Sequence, residues 1–455
     1  MSNRIVVIGG GAAGMMAAIS AAEQGAQVTL LEPNERLGKK LNITGKGRCN
    51  VTNITDIEGL LANIPRNGKF LYSAFDHFSS ADTMAFFEGL GVPLKTERGN
   101  RVFPQSDCAF DVSGALRRRC ERLGVRWVRD RAVSVETAEG RVCGVSGEKE
   151  TYPAETVILA TGGVSYPTTG STGDGYRLAQ QAGHTLVEPV PSLVSLVSRD
   201  PDCKKMMGLA LKNVTLTLLE DGKAIFDEQG EMLFTHFGIS GPLTLSASSH
   251  LGDMKKHRYI AEIDLKPALS EEQLYDRITR DFALLANHAA QGALVKLLPA
   301  SMQPVMVARW GIDPATKANQ ITREQKRELV QLMKHWRVSI DARGDLAHAV
   351  ITSGGVSVRE VDPKTMQSKK ALGLYFAGEV LDVDGAVIPG LYAAGECVGG
   401  IWGRFVSGGT GVMGPIVFGR LAARAAMATE PATGYTLKTP VAVITEDMFA
   451  KDAAS

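Results

Sequence analysis

The sequence lacks any strong imbalance of charge. Its 455 residues contain 50 Lys and Arg against 49 Asp and Glu, which gives a formal net charge of +1 at pH 7. Nucleic-acid binding and binding to anionic membranes usually leave a basic face or stripe. We therefore predict neither a nucleic-acid partner nor a membrane partner, and we interpret the arginines at 117–119 as a solvated helix face.

Cysteine is scarce and scattered. No C-x-x-C pair and no Cys/His spacing typical of a metal site occurs among the six cysteines, which are Cys49, Cys108, Cys120, Cys143, Cys203 and Cys397. The sequence therefore predicts no metal centre and reduced thiols, as expected in a cytoplasm.

A convincing targeting segment is also missing. Residues 5–22 carry no charge and could imitate a signal peptide or a membrane span. However, this stretch is rich in glycine and alanine, is only weakly hydrophobic, and is preceded by a single Arg4. We therefore expect a cytoplasmic protein.

The stretch at 4–32 contains a dinucleotide-binding motif instead. An apolar run is followed by Gly9-Gly-Gly11-Ala-Ala13-Gly14, a small-residue stretch and a second apolar run. Gly9 allows a tight turn, Gly11 lets the backbone approach a pyrophosphate, and Gly14 lets helix and strand pack closely. The positive helix N-terminus, which includes Ala13, would face the phosphates.

An acidic residue ends the second apolar run at the expected distance. Glu32 can accept hydrogen bonds from a ribose 2′-hydroxyl, which argues against a 2′-phosphate. The stretch therefore predicts the first half of a βαβ dinucleotide site.

A polar loop rich in glycine follows at 33–53. Glycines permit close approach of the backbone to a ligand, and the lysines at 39, 40 and 46 could face phosphates or an anionic substrate. A solvated basic loop is the alternative. The cofactor contacts predicted here are Lys40, Gly45, Gly47, Arg48, Cys49 and Asn50.

A second cofactor signature lies further along the chain. The apolar strand at 156–160 runs into Thr161-Gly162-Gly, a pattern typical of flavoproteins with two dinucleotide-binding domains, in which the chain returns to the sheet beside the cofactor. We predict contacts from Ala160, Thr161 and Gly162. Short strands at 132–135 and 142–145 predict a β-meander, from which the Val133 backbone would contact adenine.

From about residue 193 the pattern changes to strands followed by helices. Strands are predicted at 194–197, 214–219 and 224–227, with a hairpin turn at Asp221-Gly222, and Ser270 is expected to cap a helix. His236, within an apolar context, is a catalytic candidate, although a structural role is the commoner one for such a histidine.

These patterns predict an α/β protein with an FAD-binding Rossmann-type fold and an inserted β-plus-α domain. We place the discontinuous FAD-binding domain at 1–190 and 341–430, the inserted substrate domain at 191–340, and a tail at 431–455.

Several motifs together resemble the bacterial BaiN/RdsA-like NAD(P)/FAD-dependent oxidoreductases, a family that includes aminoacetone oxidases. The resemblance extends through residue 385 and rests on the segments at 9–14, 45–50, 160–163, 233–242, 354–356 and 373–379.

After residue 385 the sequence resembles the C-terminal end of fumarate reductase and 3-ketosteroid dehydrogenase flavoproteins instead. Gly-Leu-Tyr-x-Ala-Gly-Glu therefore occurs twice, from Gly373 and from Gly390. One such strand is expected beside the flavin, through either Gly378 and Glu379 or Gly395 and Glu396. The second copy is preferred because it leads into a helix predicted at 412–428, whose N-terminus, at Gly411 and Val412, could face the flavin.

The resemblance implies an enzyme in which FAD is reduced by NADH or NADPH and reoxidised by an activated C=C bond of a small molecule or by oxygen. No second strand–GxGxxG–helix unit occurs, so nicotinamide is expected to be a transient co-substrate. The alternatives are a fumarate- or ketosteroid-type reductase or dehydrogenase, with Arg404 or Arg309 as proton donor, an amine oxidase, and a flavin-binding regulator of nucleic acid. The last of these lacks a supporting basic patch. The oligomeric state does not follow from the sequence.

Overall fold

The computed structural model describes residues 3–384 and 413–428 of the chain. The strands in these ranges are β1 (Arg4–Ile8), β2 (Gln27–Leu31), β3 (Thr52–Asn53), β4 (Leu94–Glu97), β5 (Arg101–Pro104), β6 (Arg126–Val128), β7 (Ala132–Ala138), β8 (Arg141–Gly147), β9 (Thr151–Pro153), β10 (Thr156–Leu159), β11 (Leu186–Ser192), β12 (Leu196–Val197), β13 (Ala210–Glu220), β14 (Lys223–Thr235), β15 (Gly238–Ser240), β16 (Tyr259–Asp264), β17 (Trp336–Ile340), β18 (Ala342–Arg343), β19 (Ile351–Val356) and β20 (Leu374–Phe376).

The α-helices in the same ranges are α1 (Ala12–Glu23), α2 (Ile57–Ala62), α3 (Tyr72–His77), α4 (Ser80–Gly89), α5 (Ala109–Arg122), α6 (Asp174–Gln181), α7 (Pro201–Lys205), α8 (Pro242–Ser248), α9 (Glu271–Leu284), α10 (Ala290–Ala293), α11 (Gln303–Trp310), α12 (Arg323–Lys334) and α13 (Met413–Ala428). Short 3₁₀ turns lie at Leu41–Gly47, Gly68–Leu71, Pro167–Thr169, Ala318–Gln320 and Val358–Glu360.

A parallel sheet forms the centre of the nucleotide-binding part. Its strands run in the order β20-β10-β1-β2-β6, and every neighbouring pair is parallel. Parallel sheets are covered on both faces, so their central strands are continuously apolar. In β1 and β10, accordingly, Ile5 to Ile8 and Thr156 to Leu159 are all buried.

Helix α1 is enclosed on all sides because it lies between this sheet and two other helices. Residues 12–21 are all buried, and the helix contacts α5 and α13. The crossing with α13 is close: a Cβ on Gly419 would lie 2.2 Å from the Ala13 carbonyl oxygen. The terminal helix predicted at 412–428 is confirmed as Met413–Ala428.

A seven-stranded antiparallel sheet forms the second unit, in the order β17-β16-β13-β14-β15-β12-β18. The predicted hairpin turn is confirmed, because Asp221 and Gly222 both have positive φ (48° and 86°) and join β13 to β14. Ser270 caps α9 in a capping box with Gln273, as predicted. Strand β14 extends beyond the strand predicted at 224–227, because the polar residues that follow are also paired to β13.

Two antiparallel strands connect the units. The chain leaves the nucleotide-binding part through β11 and returns through β19, and these strands pair with each other. The domain limits given above stay a prediction, and the tail at 431–455 lies outside the described residues.

Candidate cofactor site

The glycines of the first motif have different surroundings. A Cβ on Gly9 would lie 2.5 Å from the Ala160 carbonyl oxygen, and one on Gly14 would lie 1.8 Å from the Gly9 carbonyl oxygen. These two positions therefore need glycine so that β1, α1 and β10 can meet. A Cβ on Gly11 would meet no atom within 4 Å, so this backbone has an open side at the N-terminus of α1.

Glu32 is held beside that N-terminus by three hydrogen bonds. Its Oε2 accepts from the Gly10 amide at 2.7 Å, and its Oε1 accepts from the backbone and side-chain nitrogens of Asn34 at 2.9 and 2.8 Å. Because a carboxylate offers about four acceptor positions, it can still accept from a ribose hydroxyl.

A groove runs past these residues. Its walls come from the motif at 9–13, Glu32, Lys39, Lys40, the return loop at 160–162 and the segment at 377–379. A second hollow shares several of these residues and continues toward Ala132 and Leu178. Because both are lined by Gly9, Glu32, Thr161 and Gly170, they form one continuous space beside the first motif.

A buried ion pair closes one side of the groove. The Lys40 Nζ lies 2.8 Å from Glu379 Oε2 and donates to Ser165 Oγ, also at 2.8 Å. Glu379 Oε1 accepts from Ser165 Oγ at 3.0 Å and from the Thr352 amide at 2.8 Å. The network ties together the loop after β2, the loop after β10, strand β19 and the end of β20.

The first Gly-Leu-Tyr-x-Ala-Gly-Glu copy supplies β20 and, through Gly378 and Glu379, part of the groove wall. The second copy lies outside the described residues, together with Gly395, Glu396, Arg404, Gly411 and Val412. The preference for the second copy stays a prediction.

The loop at 41–50 has an unusual backbone. Gly45, Lys46, Gly47 and Cys49 all have positive φ, between 54° and 82°. Such conformations are uncommon for residues other than glycine and often occur at functional sites. Lys40 lines the groove, whereas positions 45–50 are not among its lining residues.

Three side chains of this loop have partners within the protein. Arg48 forms ion pairs with Glu97 and Asp107, and its guanidinium carbon lies 4.2 Å from the centre of the Phe103 ring. Cys49 is fully buried, and burial raises the pKa of its thiol to about 12. The Asn50 amide donates to the Val102 and Thr52 carbonyls. These contacts hold the loop in its conformation.

Two other predicted residues lie apart from the groove lining. The Val133 carbonyl accepts a hydrogen bond from Arg177, and its neighbour Ala132 lines the second hollow. His236 is exposed at the turn between β14 and β15, where its ring contacts Phe237 edge-on with ring centres 5.0 Å apart.

Three residues that hold the acidic side chains of the groove were not predicted from the sequence. Asn34, which fixes Glu32, follows it by two residues and could have been noted as a turn former after Pro33. Ser165 and Thr352 carry no local signal, because their partner Glu379 is remote in the chain.

The family of HI0933-like proteins, described by its Rossmann domain, matches residues 3–393. The chain belongs to this family. Membership in it confirms the predicted resemblance, the Rossmann-type α/β fold and the class of enzyme, an FAD-dependent oxidoreductase.

Similar proteins include a 3-dehydro-bile acid Δ(4,6)-reductase of Clostridium scindens, which is 33% identical over 392 residues, covering 84% of this chain and 94% of that protein. A ribosomal RNA dihydrouridine synthase of Haemophilus influenzae is 29% identical over 386 residues, covering 84% and 92%. Among solved structures, the 3-ketosteroid-Δ4-(5α)-dehydrogenase of Rhodococcus jostii matches with a TM-score of 0.49 and 17% identity, covering 94% of this chain and 97% of that one.

Three further observations concern the described residues. Within 3–384 and 413–428, no helix combines the length and apolar character needed to cross a bilayer. In the same ranges no group of three or more His, Cys, Asp or Glu side chains is arranged to hold a metal ion. The five cysteines that lie there are free thiols. The cytoplasmic location and the absence of a nucleic-acid partner stay predictions.

Proposed function

We propose that the chain is an FAD-dependent reductase of C=C bonds conjugated to a carbonyl group, with NADH or NADPH as the electron donor. The observation that carries this proposal is the groove, in which Glu32 is held in place beside the open side of Gly11. The choice of reaction is supported by relatives named for reduction of a 3-dehydro-bile acid and for synthesis of dihydrouridine. A 3-dehydro-Δ(4,6)-bile acid has C=C bonds conjugated to its 3-carbonyl group. Uridine, which is reduced to dihydrouridine, has a C=C bond conjugated to a ring carbonyl.

The residues present fit FAD. The Gly11 amide and the α1 N-terminus would face the pyrophosphate, because they are unobstructed and carry partial positive charge. Glu32 would accept from the adenosine ribose. The second hollow, next to Ala132, would receive the adenine.

Lys40 and Glu379 would border the opposite end of the cofactor. Since their charges are already paired, they would fix the position of the groove wall and add little net charge beside the ring. FAD, when bound, would supply the hydride chemistry. The protein would hold the substrate against it and limit access of water.

The test is an anaerobic two-stage experiment on the purified protein. NADH or NADPH is expected to bleach the bound flavin, and an enone is then expected to restore its colour faster than buffer does. Fumarate, an amine and a uridine-containing RNA serve as comparison compounds. A flavin that neither nucleotide reduces would contradict the choice of donor, and one that only oxygen reoxidises would contradict the reductase assignment.

A further inference from the structure

A single carboxyl group in the inserted sheet has an unusual environment. Met232 and Phe234 of β14 point into the apolar core of that sheet, beneath α8. Because side chains alternate along a strand, Glu231 projects from the opposite face. That face is the more polar one, and the hydroxyls of Ser195 and Ser240 meet on it at 2.9 Å.

The strand pairing is irregular at this residue. Met232 lies opposite Leu211 and Gly230 lies opposite Val214, so two residues of β13 face Glu231 alone. Such a β-bulge bends a strand and redirects its side chains, and bulges are over-represented beside active sites.

Glu231 is only 3% exposed, and neither carboxylate oxygen has a hydrogen-bond partner among the described residues. Burial of a charged group without a partner costs free energy. Glu32 and Glu379, by contrast, each accept several hydrogen bonds. Four residues further along the same face, the buried hydroxyl of Thr235 is also without a partner. A ligand on this face would supply Glu231 with the partner that the described residues do not.

The position of Glu231 relates it to the groove. Burial raises the pKa of its carboxyl above the usual range, while Lys212 and Lys46 oppose this rise. Lys46, one of the two cations that act on the carboxyl, belongs to the turn Leu41–Gly47 that starts directly after Lys40 of the groove wall. The loop that supplies Lys40 to the groove wall therefore also carries a charge that acts on Glu231.

We propose that the Glu231 carboxyl, which its burial without a partner keeps protonated, donates a hydrogen bond to the carbonyl oxygen of the substrate. This inference rests on the proposed function and deepens it. FAD, when bound and reduced by NADH or NADPH, would supply the hydride to the β-carbon and so return to its oxidised form. The electrons of the C=C bond would move toward the α-carbon and the carbonyl oxygen, and the α-carbon would then take a proton from solvent. Glu231 keeps its proton and stabilises the negative charge that develops on the oxygen.

The test compares Glu231→Leu and Glu231→Gln with Glu228→Gln, a matched control at an exposed position of the same strand. The probes are 2-cyclohexenone and a 3-keto-4-ene steroid. Loss of one donor to a developing oxyanion costs about 100-fold or more in rate. We therefore expect reoxidation of the reduced flavin by either probe to slow by about that factor in Glu231→Leu. The slowing should stay within about 10-fold in Glu231→Gln, whose amide can still donate.

Two other readouts separate this inference from the proposed function. Probe binding to the oxidised holoprotein, followed through the flavin absorbance, should weaken in Glu231→Leu and not in Glu228→Gln. Flavin reduction by NADH or NADPH should be equal in all variants.

Wild-type rates and wild-type probe binding in Glu231→Leu would overturn the role of Glu231 and leave the proposed function intact. A wild-type protein that binds a probe in a Glu231-dependent way but never reduces it would contradict the function alone. Failure of the wild type to bind or reduce either probe would overturn both.

Discussion

Replacement of Lys40 by methionine tests the ion pair at the groove wall. The Nζ of Lys40 lies 2.8 Å from Glu379 Oε2, and the two side chains are only 11% and 5% exposed. Methionine keeps much of the apolar stem but removes the cation, so Glu379 would be left as a buried charge without a counterion.

The expected loss of stability follows from this burial. Breaking a buried ion pair from one side typically costs about 3–5 kcal/mol. Glu379 would keep its hydrogen bonds from Ser165 and from the Thr352 amide, which favours the lower end, about 3 kcal/mol. Exposed pairs contribute about 0–1 kcal/mol. Arg126→Met is therefore a matched control, since Arg126 and its partner Glu150 are 63% and 49% exposed.

Urea unfolding followed by circular dichroism measures both variants. Lys40→Met should lower the free energy of unfolding by about 3 kcal/mol and Arg126→Met by less than about 1 kcal/mol. The double variant Lys40→Met with Glu379→Gln should recover part of the loss, because no buried charge remains. Equal, small effects of the two single variants would show that Glu379 does not need Lys40 as a buried counterion.

Three further predictions concern the cofactor site and pH. Glu32→Ala should weaken FAD binding by about 10- to 100-fold, since hydrogen bonds to charged groups contribute about 1.5–3 kcal/mol. Titration of the apoprotein with FAD measures this change, and the control variant Glu35→Ala, at an exposed position, should bind FAD like the wild type. Gly14→Ala should prevent normal folding. Gly11→Ala should keep the free energy of unfolding within about 0.5 kcal/mol of the wild-type value yet bind FAD more weakly, and comparable unfolding curves for the two variants would contradict the roles assigned to these glycines. Burial raises the pKa of Asp384 from 3.8 to about 6. Protonated Asp384 therefore favours the folded state at low pH, and about 3 kcal/mol of stability is lost as the pH rises from about 4 to about 6. Asp384→Asn should make the free energy of unfolding depend less on pH in this range, and an unchanged pH profile would argue against the shift.

The first cofactor motif could be predicted because its requirements are local. The glycines at 9, 11 and 14 and the acid at 32 belong to one short βαβ unit, in which sequence distance fixes spatial distance. The hairpin at Asp221 and the cap at Ser270 are local in the same sense.

The ion-pair network and the environment of Glu231 could not be predicted in this way. Lys40 and Glu379 are 339 residues apart, so their contact depends on the assembled sheet. Arg48 illustrates the same limit, because a sequence alone does not distinguish an arginine that binds phosphate from one paired to Glu97 and Asp107. The unpartnered state of Glu231 results from the bulge and from burial, which exist only in the folded protein.

We expect electrons to pass from nicotinamide through bound FAD to a C=C bond conjugated to a carbonyl. The most direct test is single-turnover reaction of the NADH- or NADPH-reduced holoprotein with a 3-keto-4-ene steroid under anaerobic conditions, with mass analysis of the steroid. Each flavin that is reoxidised should yield one steroid molecule that has gained two hydrogen atoms and kept its carbonyl group. Reoxidation without a saturated product, or an unchanged steroid beside a flavin that stays reduced, would contradict this expectation.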